Sequence, residues 1–368
     1  MSFFKLVKKK KYFYNKDDNV YGDGGIYMSN TIKIGVVGSG SIANTHIKSI
    51  QEVNSAELVA IYSRNKETVQ KLADTYNLKA YTDYQEFLTN AGIDMVVIVT
   101  PSGTHAQLGI DAAKAGKHVV VEKPIDTTIE KTNQLIEACK EANVTLSCIF
   151  QHRFDEAVLD VKKVLNEGEF GQLNFGAART TIYRSQEYYD SGAWRGTWEL
   201  DGGGALINQS IHYIDLLLYI MGPVDEVYAY TATRAHERIE VEDIGVATVK
   251  FKSGALGLIE GNTTAYPGFS TTLDIFGTNG SVIIENDHVK EWKFKSGLEY
   301  ENKQNNIEND VSSNIVKTNK SFVKQYTDIV QAIIENRKPL VTGEEAKRSL
   351  ELIMAIYQSA REGRPVKL

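Results

Sequence analysis

The sequence predicts an α/β protein in two parts: a doubly wound parallel sheet over residues 31–150, then an α+β half over residues 151–368 built on a large, mostly antiparallel sheet. Three observations predict it. Short β-branched runs alternate with helix-length segments through the first half. A glycine-rich turn closes the first of those runs, and the second half is a series of strand-length runs joined by short turns. The chain has 368 residues, 42% of them hydrophobic and 24% charged, which is enough apolar material for two cores. Residues 1–30 carry Lys8 to Lys11 in a row, then aromatic and acidic residues without periodicity, and are expected to be an extension outside the fold.

Composition excludes several classes of function. With 41 Lys+Arg against 47 Asp+Glu, a net −6, there is no domain-wide basic field, so neither nucleic acid nor membrane is an expected partner. No apolar run approaches the ~20 residues that span a bilayer, and no apolar stretch follows the early lysines as a signal peptide would require. Cys139 and Cys148 are too few for a disulfide framework and lack the paired histidines of a zinc site, so no metal and a cytoplasmic location are expected.

Ile32, Ile34, Val36 and Val37 form the first strand. It ends in Gly38-Ser39-Gly40-Ser41-Ile42-Ala43, after which Ile47, Ile50 and Val53 continue at helical spacing. The first glycine permits the turn and the second lets a pyrophosphate approach the backbone. The small third residue lets the helix pack on the strand while its first amides face the phosphate. Gly38, Ser39, Gly40, Ser41 and Ile42 are therefore candidate dinucleotide contacts, and the first half is expected to be a Rossmann domain. The second strand, 58–62, runs into Ser63-Arg64-Asn65 and a polar helix. An acid at this point grips a ribose 2′-hydroxyl, whereas an arginine pairs with a 2′-phosphate. Ser63 and Arg64 make the expected cofactor NAD or NADP, with a lean to NADP. A strand at 95–99, a helix from about His105 to Ala115 and a strand at 117–121 complete the alternation.

The ends of those last two strands read Thr100-Pro101-Ser102-Gly103-Thr104-His105 and Gly116-Lys117-His118-Val119-Val120-Val121-Glu122-Lys123-Pro124. With the glycine turn, they resemble the Gfo/Idh/MocA family of oxidoreductases, over roughly residues 31–368. The resemblance implies that Thr100, Pro101, His105 and Glu122 border the cofactor, that Lys123 sits between nicotinamide and substrate hydroxyl, and that the Lys123–Pro124 peptide is cis. A lysine ending a buried strand there can bond a sugar hydroxyl and stabilise developing charge on its oxygen. The alternative is a surface lysine bridged to Glu122.

After Phe150-Gln151-His152-Arg153-Phe154 a helix runs to about Leu165. Strand-length runs follow at 173–183, 227–234, 245–251, 255–264, 271–277, 281–285 and 289–294, most of them joined by hairpin turns such as Thr278-Asn279-Gly280. Residues 298–320, rich in Asn, Lys and Glu, read as a mobile surface loop. Helices near 321–336 and 344–362 close the chain and are expected to pack back on the first domain. The resemblance implies that the sheet is open-faced and builds a homodimer or homotetramer.

Asp201-Gly202-Gly203-Gly204 precedes a helix on which Asn208, His212 and Asp215 share one face at i, i+4 and i+7. From the residues alone, His212 reads as a core histidine bonded to Asp215; the resemblance implies instead that it is the catalytic base. The family pattern carries Asp where this chain has Asn208, whose amide can orient a hydroxyl but cannot take a proton. An Asn here is similar to the branch that oxidises carbon 3 of UDP-N-acetylglucosamine or its uronate, as is the stretch 179–198. Within it Arg184 and Arg195, amid Tyr183 and Trp194, can bind a diphosphate and stack on a ring; ordinary ion pairs are the alternative. Arg153, Tyr183, Arg184, Trp194 and Arg195 are thus candidate substrate contacts beside Lys123, Asn208 and His212.

The expected reaction is reversible oxidation of a secondary hydroxyl of a sugar or sugar nucleotide. An ordinary histidine titrates at about 6.5, which suits a base working near neutrality. The competing readings are a dehydrogenase of a free sugar, inositol or dihydrodiol, a non-redox enzyme that holds NAD tightly, and a nucleotide-sensing binding protein.

Overall fold

The structure, a computed structural model, describes residues 31–301 and 319–368. The expectations for residues 1–30 and for most of the 298–320 loop lie outside the described residues. In the first half, β1 (Ile32–Val37), α1 (Ala43–Gln51), β2 (Ala56–Tyr62), α2 (Lys66–Tyr76), β3 (Lys79–Tyr81) and α3 (Tyr84–Asn90) are followed by β4 (Met95–Ile98), α4 (His105–Lys114), β5 (His118–Val121), α5 (Ile129–Glu141) and β6 (Leu146–Cys148). All pairings are parallel, in the order β3-β2-β1-β4-β5-β6. β4 is buried at every residue, as a strand covered on both faces must be. The order reverses between β1 and β4, so the glycine turn after β1 and the Thr100 segment after β4 flank one crevice at the carboxyl ends of the strands.

The second half contains α6 (Glu156–Asn166), β7 (Leu173–Thr181), α7 (Gln186–Asp190), a π-helical turn (Ala205–Ser210), α8 (Ile211–Met221), β8 (Val224–Ala232), β9 (Ile244–Phe251), β10 (Leu256–Asn262), β11 (Thr271–Gly277), β12 (Gly280–Glu285) and β13 (His288–Phe294). α9 (Lys320–Ile334), α10 (Gly343–Glu362) and β14 (Val366–Lys367) close the chain. The eight strands run β13-β12-β11-β7-β10-β9-β8-β14, antiparallel throughout except for the β7–β10 pair. In β9 Gly245, Ala247, Val249 and Phe251 are buried while Val246, Thr248 and Lys250 are exposed, so α8 and its neighbours cover one face and leave the other open.

One apolar core runs from Val96 and Val119 of the first sheet into Leu217 of α8 and Val249 of the second, joining the two halves within one unit, Thr31–Leu368. α9 crosses back: its Tyr326, Ile329 and Val330 pack against Ile34, Val36 and Ile47. α10 starts where Thr342 accepts the Glu345 N–H at 3.2 Å and stops at the left-handed Gly363 (φ 64°). Among the described residues no helix is long and apolar enough to cross a membrane.

Candidate active site

A cleft of about 990 Å³ opens over the carboxyl ends of β1, β4 and β5, and the glycine turn forms one end of it. Gly38 has φ +119° and a Cβ there would lie 2.9 Å from the Val99 carbonyl oxygen, so only glycine fits the turn. A Cβ on Gly40 would meet nothing within 4 Å; the space over it is the open cradle into which a pyrophosphate fits. α1 has no side-chain cap and no acid in its first turn, which leaves its first amides to an anionic ligand. Ser39, Ser41, Ile42, Ser63, Arg64, Thr100 and Pro101 share the wall, where Ser39 Oγ lies 2.8 Å from Ser63 Oγ. The residues present therefore fit a dinucleotide. His105 is not on the wall: it is buried, with its ring nitrogens 2.9 Å from the Pro124 and Thr100 carbonyl oxygens, and braces the loops that carry the wall.

At the other end the cleft is walled by Glu122, Lys123, Asn208 and His212. The Lys123–Pro124 peptide is cis, and Lys123 Nζ donates to the Asn208 main-chain oxygen at 2.7 Å. It does not bridge Glu122. That carboxylate accepts the Lys123 N–H at 3.0 Å and lies 3.0 Å from His46 Nε2, whose Nδ1 is 2.6 Å from the Tyr326 hydroxyl. Burial pushes Glu122 up, but the His46 contact and the Lys123 charge outweigh it and hold the carboxyl below its ordinary value. Burial lowers Lys123, and Glu122 and Asp201 only partly offset this.

The glycine run positions Asn208 and His212. A Cβ on Gly204 would fall 1.7 Å from the Glu242 carbonyl oxygen, while the Glu242 carboxyl accepts the Gly204 and Leu206 N–H groups at 3.0 and 2.9 Å and the Tyr357 hydroxyl at 2.9 Å. Burial raises that carboxyl to about 7. The anchored chain makes its π-helical turn, a local widening that recurs at functional sites, and enters α8. Asn208 Nδ2 donates to Asp201, whose second oxygen accepts the Gly196 N–H at 2.9 Å. The His212 ring meets Phe150 and His152 edge-on, with centroids 6.0 and 4.9 Å away.

Asp215 and Arg153 are placed differently from the sequence expectation. Seven residues carry the helical face about 10 Å along its axis, out of the cleft and into the core. There Asp215 is gripped at 2.7 Å by both Arg153 Nε and Arg153 Nη2, and Arg153 Nη1 reaches Glu345 at 3.1 Å. Arg153 is 1% exposed and off the cleft wall, so the structure does not bring it to the substrate.

Trp194 and Arg195 line the outer wall. The Arg195 guanidinium lies 4.2 Å from the centroid of Tyr188 and 4.5 Å from that of Trp194. Arg184, just off the wall, lies 4.9 Å from the Tyr188 centroid and donates to Gln209 at 2.9 Å. Among the described residues, neither arginine has a carboxylate partner within hydrogen-bonding range. Tyr183 is exposed and packs edge-on against Tyr266, away from the cleft. The sequence reading gives no role to Tyr188, Asp201 or Gln209. Asp201, placed directly before the glycines, was the one with a visible signal.

Fold and site define the class, a dinucleotide-dependent oxidoreductase of two domains. The chain belongs to the Gfo/Idh/MocA oxidoreductase family: the NAD-binding Rossmann fold matches residues 32–150 and the C-terminal alpha/beta domain residues 162–368. It is similar to the WlbA dehydrogenase of Bordetella pertussis, solved in complex with NADH and UDP-GlcNAcA, with 36% identity and a TM-score of 0.81 over 92% of this chain and 99% of that one. It is also 28% identical to the Myo-inositol 2-dehydrogenase of Thermotoga maritima over 92% of this chain and 98% of the relative. The scyllo-inositol 2-dehydrogenase (NAD(+)) of Bacillus subtilis is 28% identical over 93% of this chain and 97% of its own length. The protein is an NAD(P)-dependent dehydrogenase acting on CH–OH groups.

Proposed function

We propose that the chain reversibly oxidises a secondary hydroxyl of a sugar nucleotide, at carbon 3 of a UDP-N-acetylhexosamine or its uronate. The observation that carries the reading is the cleft itself: a glycine cradle at one end, Lys123, Asn208 and His212 at the other, and Arg195 with Trp194 on the outer wall. When bound, the nicotinamide supplies the hydride acceptor. His212 takes the proton of the substrate hydroxyl, and Lys123 donates a hydrogen bond to the same oxygen and stabilises its developing charge. Asn208 orients the hydroxyl. Arg195 and Trp194 hold the diphosphate and stack on a ring, with Arg184 behind them. The bound sugar nucleotide of the Bordetella relative supports this substrate class.

In this reading residues 31–150 hold the cofactor and 151–368 the substrate. Glu122 is the one acidic residue on the wall among the described residues, and Arg64 stands at the ribose end, so NADP(H) binds more tightly than NAD(H). Comparing dissociation constants tests this, and NADH binding at least about tenfold tighter would overturn it. The open sheet face seats a second copy of the chain through Tyr230, Val246 and Leu256, which are 64%, 40% and 58% exposed. Two free, buried cysteines suit a reducing cytoplasm.

A second reading, oxidation of a free inositol or sugar, is favoured by the inositol dehydrogenases that match nearly the whole chain. Arg195→Gln separates the two. A sugar-nucleotide enzyme loses at least about tenfold in kcat/KM, whereas an inositol enzyme keeps its kcat/KM unchanged.

A further inference from the structure

Asp201 is a carboxylate only 2% exposed, and among the described residues no cation closes an ion pair on it. Its bonds come from two neutral donors, the Gly196 N–H at 2.9 Å and the Asn208 side-chain amide. Its backbone is pinned as well, since the N–H groups of Asp201 and Gly202 both donate to the Thr197 oxygen at 3.2 and 3.1 Å. A buried carboxylate is expensive to keep without charged partners. Its position relative to the reacting end supplies the reason.

Asn208 is held on three sides. Its amide nitrogen faces Asp201, its amide oxygen accepts from Gln209 Nε2 at 2.9 Å, and its main-chain oxygen accepts from Lys123 Nζ at 2.7 Å. Because a carboxylate only accepts, the flipped amide would set oxygen against oxygen; the charge on Asp201 therefore chooses the orientation of Asn208. We propose that Asp201 is a positioning residue of the reaction, fixing the Asn208 amide and placing beside Lys123 the negative charge that an amide at 208 cannot carry. The proposal rests on Lys123 being the hydrogen-bond donor to the substrate hydroxyl.

The titratable and charged groups facing Lys123 come from four elements of the fold. Glu122 at the end of β5 and Asp201 before the π-helical turn favour the ammonium, Arg184 beyond β7 disfavours it, and Cys148 of β6, which burial holds as the neutral thiol, would favour it only as a thiolate. Burial raises the Asp201 carboxyl, and the Gly196 N–H, Asn208, Lys123 and Arg195 act in the opposite direction. Without Asp201, Lys123 loses its proton at lower pH, and activity that needs the ammonium disappears earlier as pH rises.

The test labels the full-length protein with trace acetic anhydride across pH and reads the Lys123 peptide by mass spectrometry, which needs no substrate. Relative to wild type, Asp201→Asn lowers the Lys123 midpoint by about one pH unit, and Asp201→Asn combined with Asn208→Asp restores it. Asp201→Ser, which keeps an acceptor for the Gly196 N–H, gives the same lowering should Asp201→Asn fail to fold. In turnover of the sugar nucleotide, kcat falls at least about tenfold in Asp201→Asn while KM changes little, and the exchange variant recovers part of the loss. A Lys123 midpoint that stays at the wild-type value in these variants overturns the proposal. Full kcat in Lys123→Met would instead overturn the role of Lys123, and the labelling separates that outcome from the first.

Discussion

Gly38 and Gly40 stand in the same turn for different reasons. Gly38 has a left-handed backbone and a carbonyl oxygen where its Cβ would be, whereas Gly40 faces open space. Gly38→Ala therefore lowers the melting temperature, by roughly 1–2 kcal/mol of stability. Gly40→Ala leaves melting unchanged and weakens NADH binding at least about tenfold, which calorimetry beside a thermal scan would show. His212→Ala is expected to lower kcat by about 10²-fold or more, with its melting temperature preserved; a kcat within threefold of wild type contradicts the proposed role of His212 as base. At this scale the place of the glycine turn on the cleft wall was legible from its local pattern, and that of Lys123, Asn208 and His212 through the family resemblance. Arg153 and His105 were not. Whether a polar side chain faces cleft or core depends on distant partners, here Asp215, 62 positions from Arg153, and Pro124, 19 from His105.

Among the elements, the segment after β6 carries the clearest pH dependence. His152 Nδ1 lies 2.6 Å from Asp155 and 3.2 Å from Asp287, which sits in the turn between β12 and β13. Burial alone would lower His152, but Asp287 and Asp155 outweigh it and raise the imidazole from 6.5 to about 9. A histidine raised on folding contributes stability that is complete below its unfolded value of 6.5 and is lost as pH rises through about 9. Melting temperature is thus expected to fall between these two values in the wild type and to fall less in His152→Gln; equal slopes would contradict the charged cluster. Elements with a clear local signal, such as the β-branched run of β1 and the alternating β9, follow from the sequence. The three-residue β3 and β6 are too short to show a period, and the π-helical turn arises from the Glu242 anchor 38 positions from Gly204.

For the whole molecule, the alternation of strand and helix followed by hairpin turns was enough to give both sheets. The return of the closing helices onto the first domain was expected, but which residues α9 meets there was not visible locally, because Tyr326 and Ile329 find Ile34 and Ile47 nearly the whole chain away. The open face of the second sheet bears the assembly prediction: the proposed assembly is expected to fall to monomers in light scattering with Tyr230→Asp and Leu256→Asp, while melting stays cooperative. The central claim concerns the cleft that spans the two halves. Its most direct measurement is cofactor reduction with UDP-N-acetylglucosaminuronate, UDP-N-acetylglucosamine, myo-inositol and scyllo-inositol side by side. The account predicts that a UDP-sugar is oxidised with a kcat/KM at least about tenfold above either inositol; rapid oxidation of an inositol with no reduction by the UDP-sugars would contradict it.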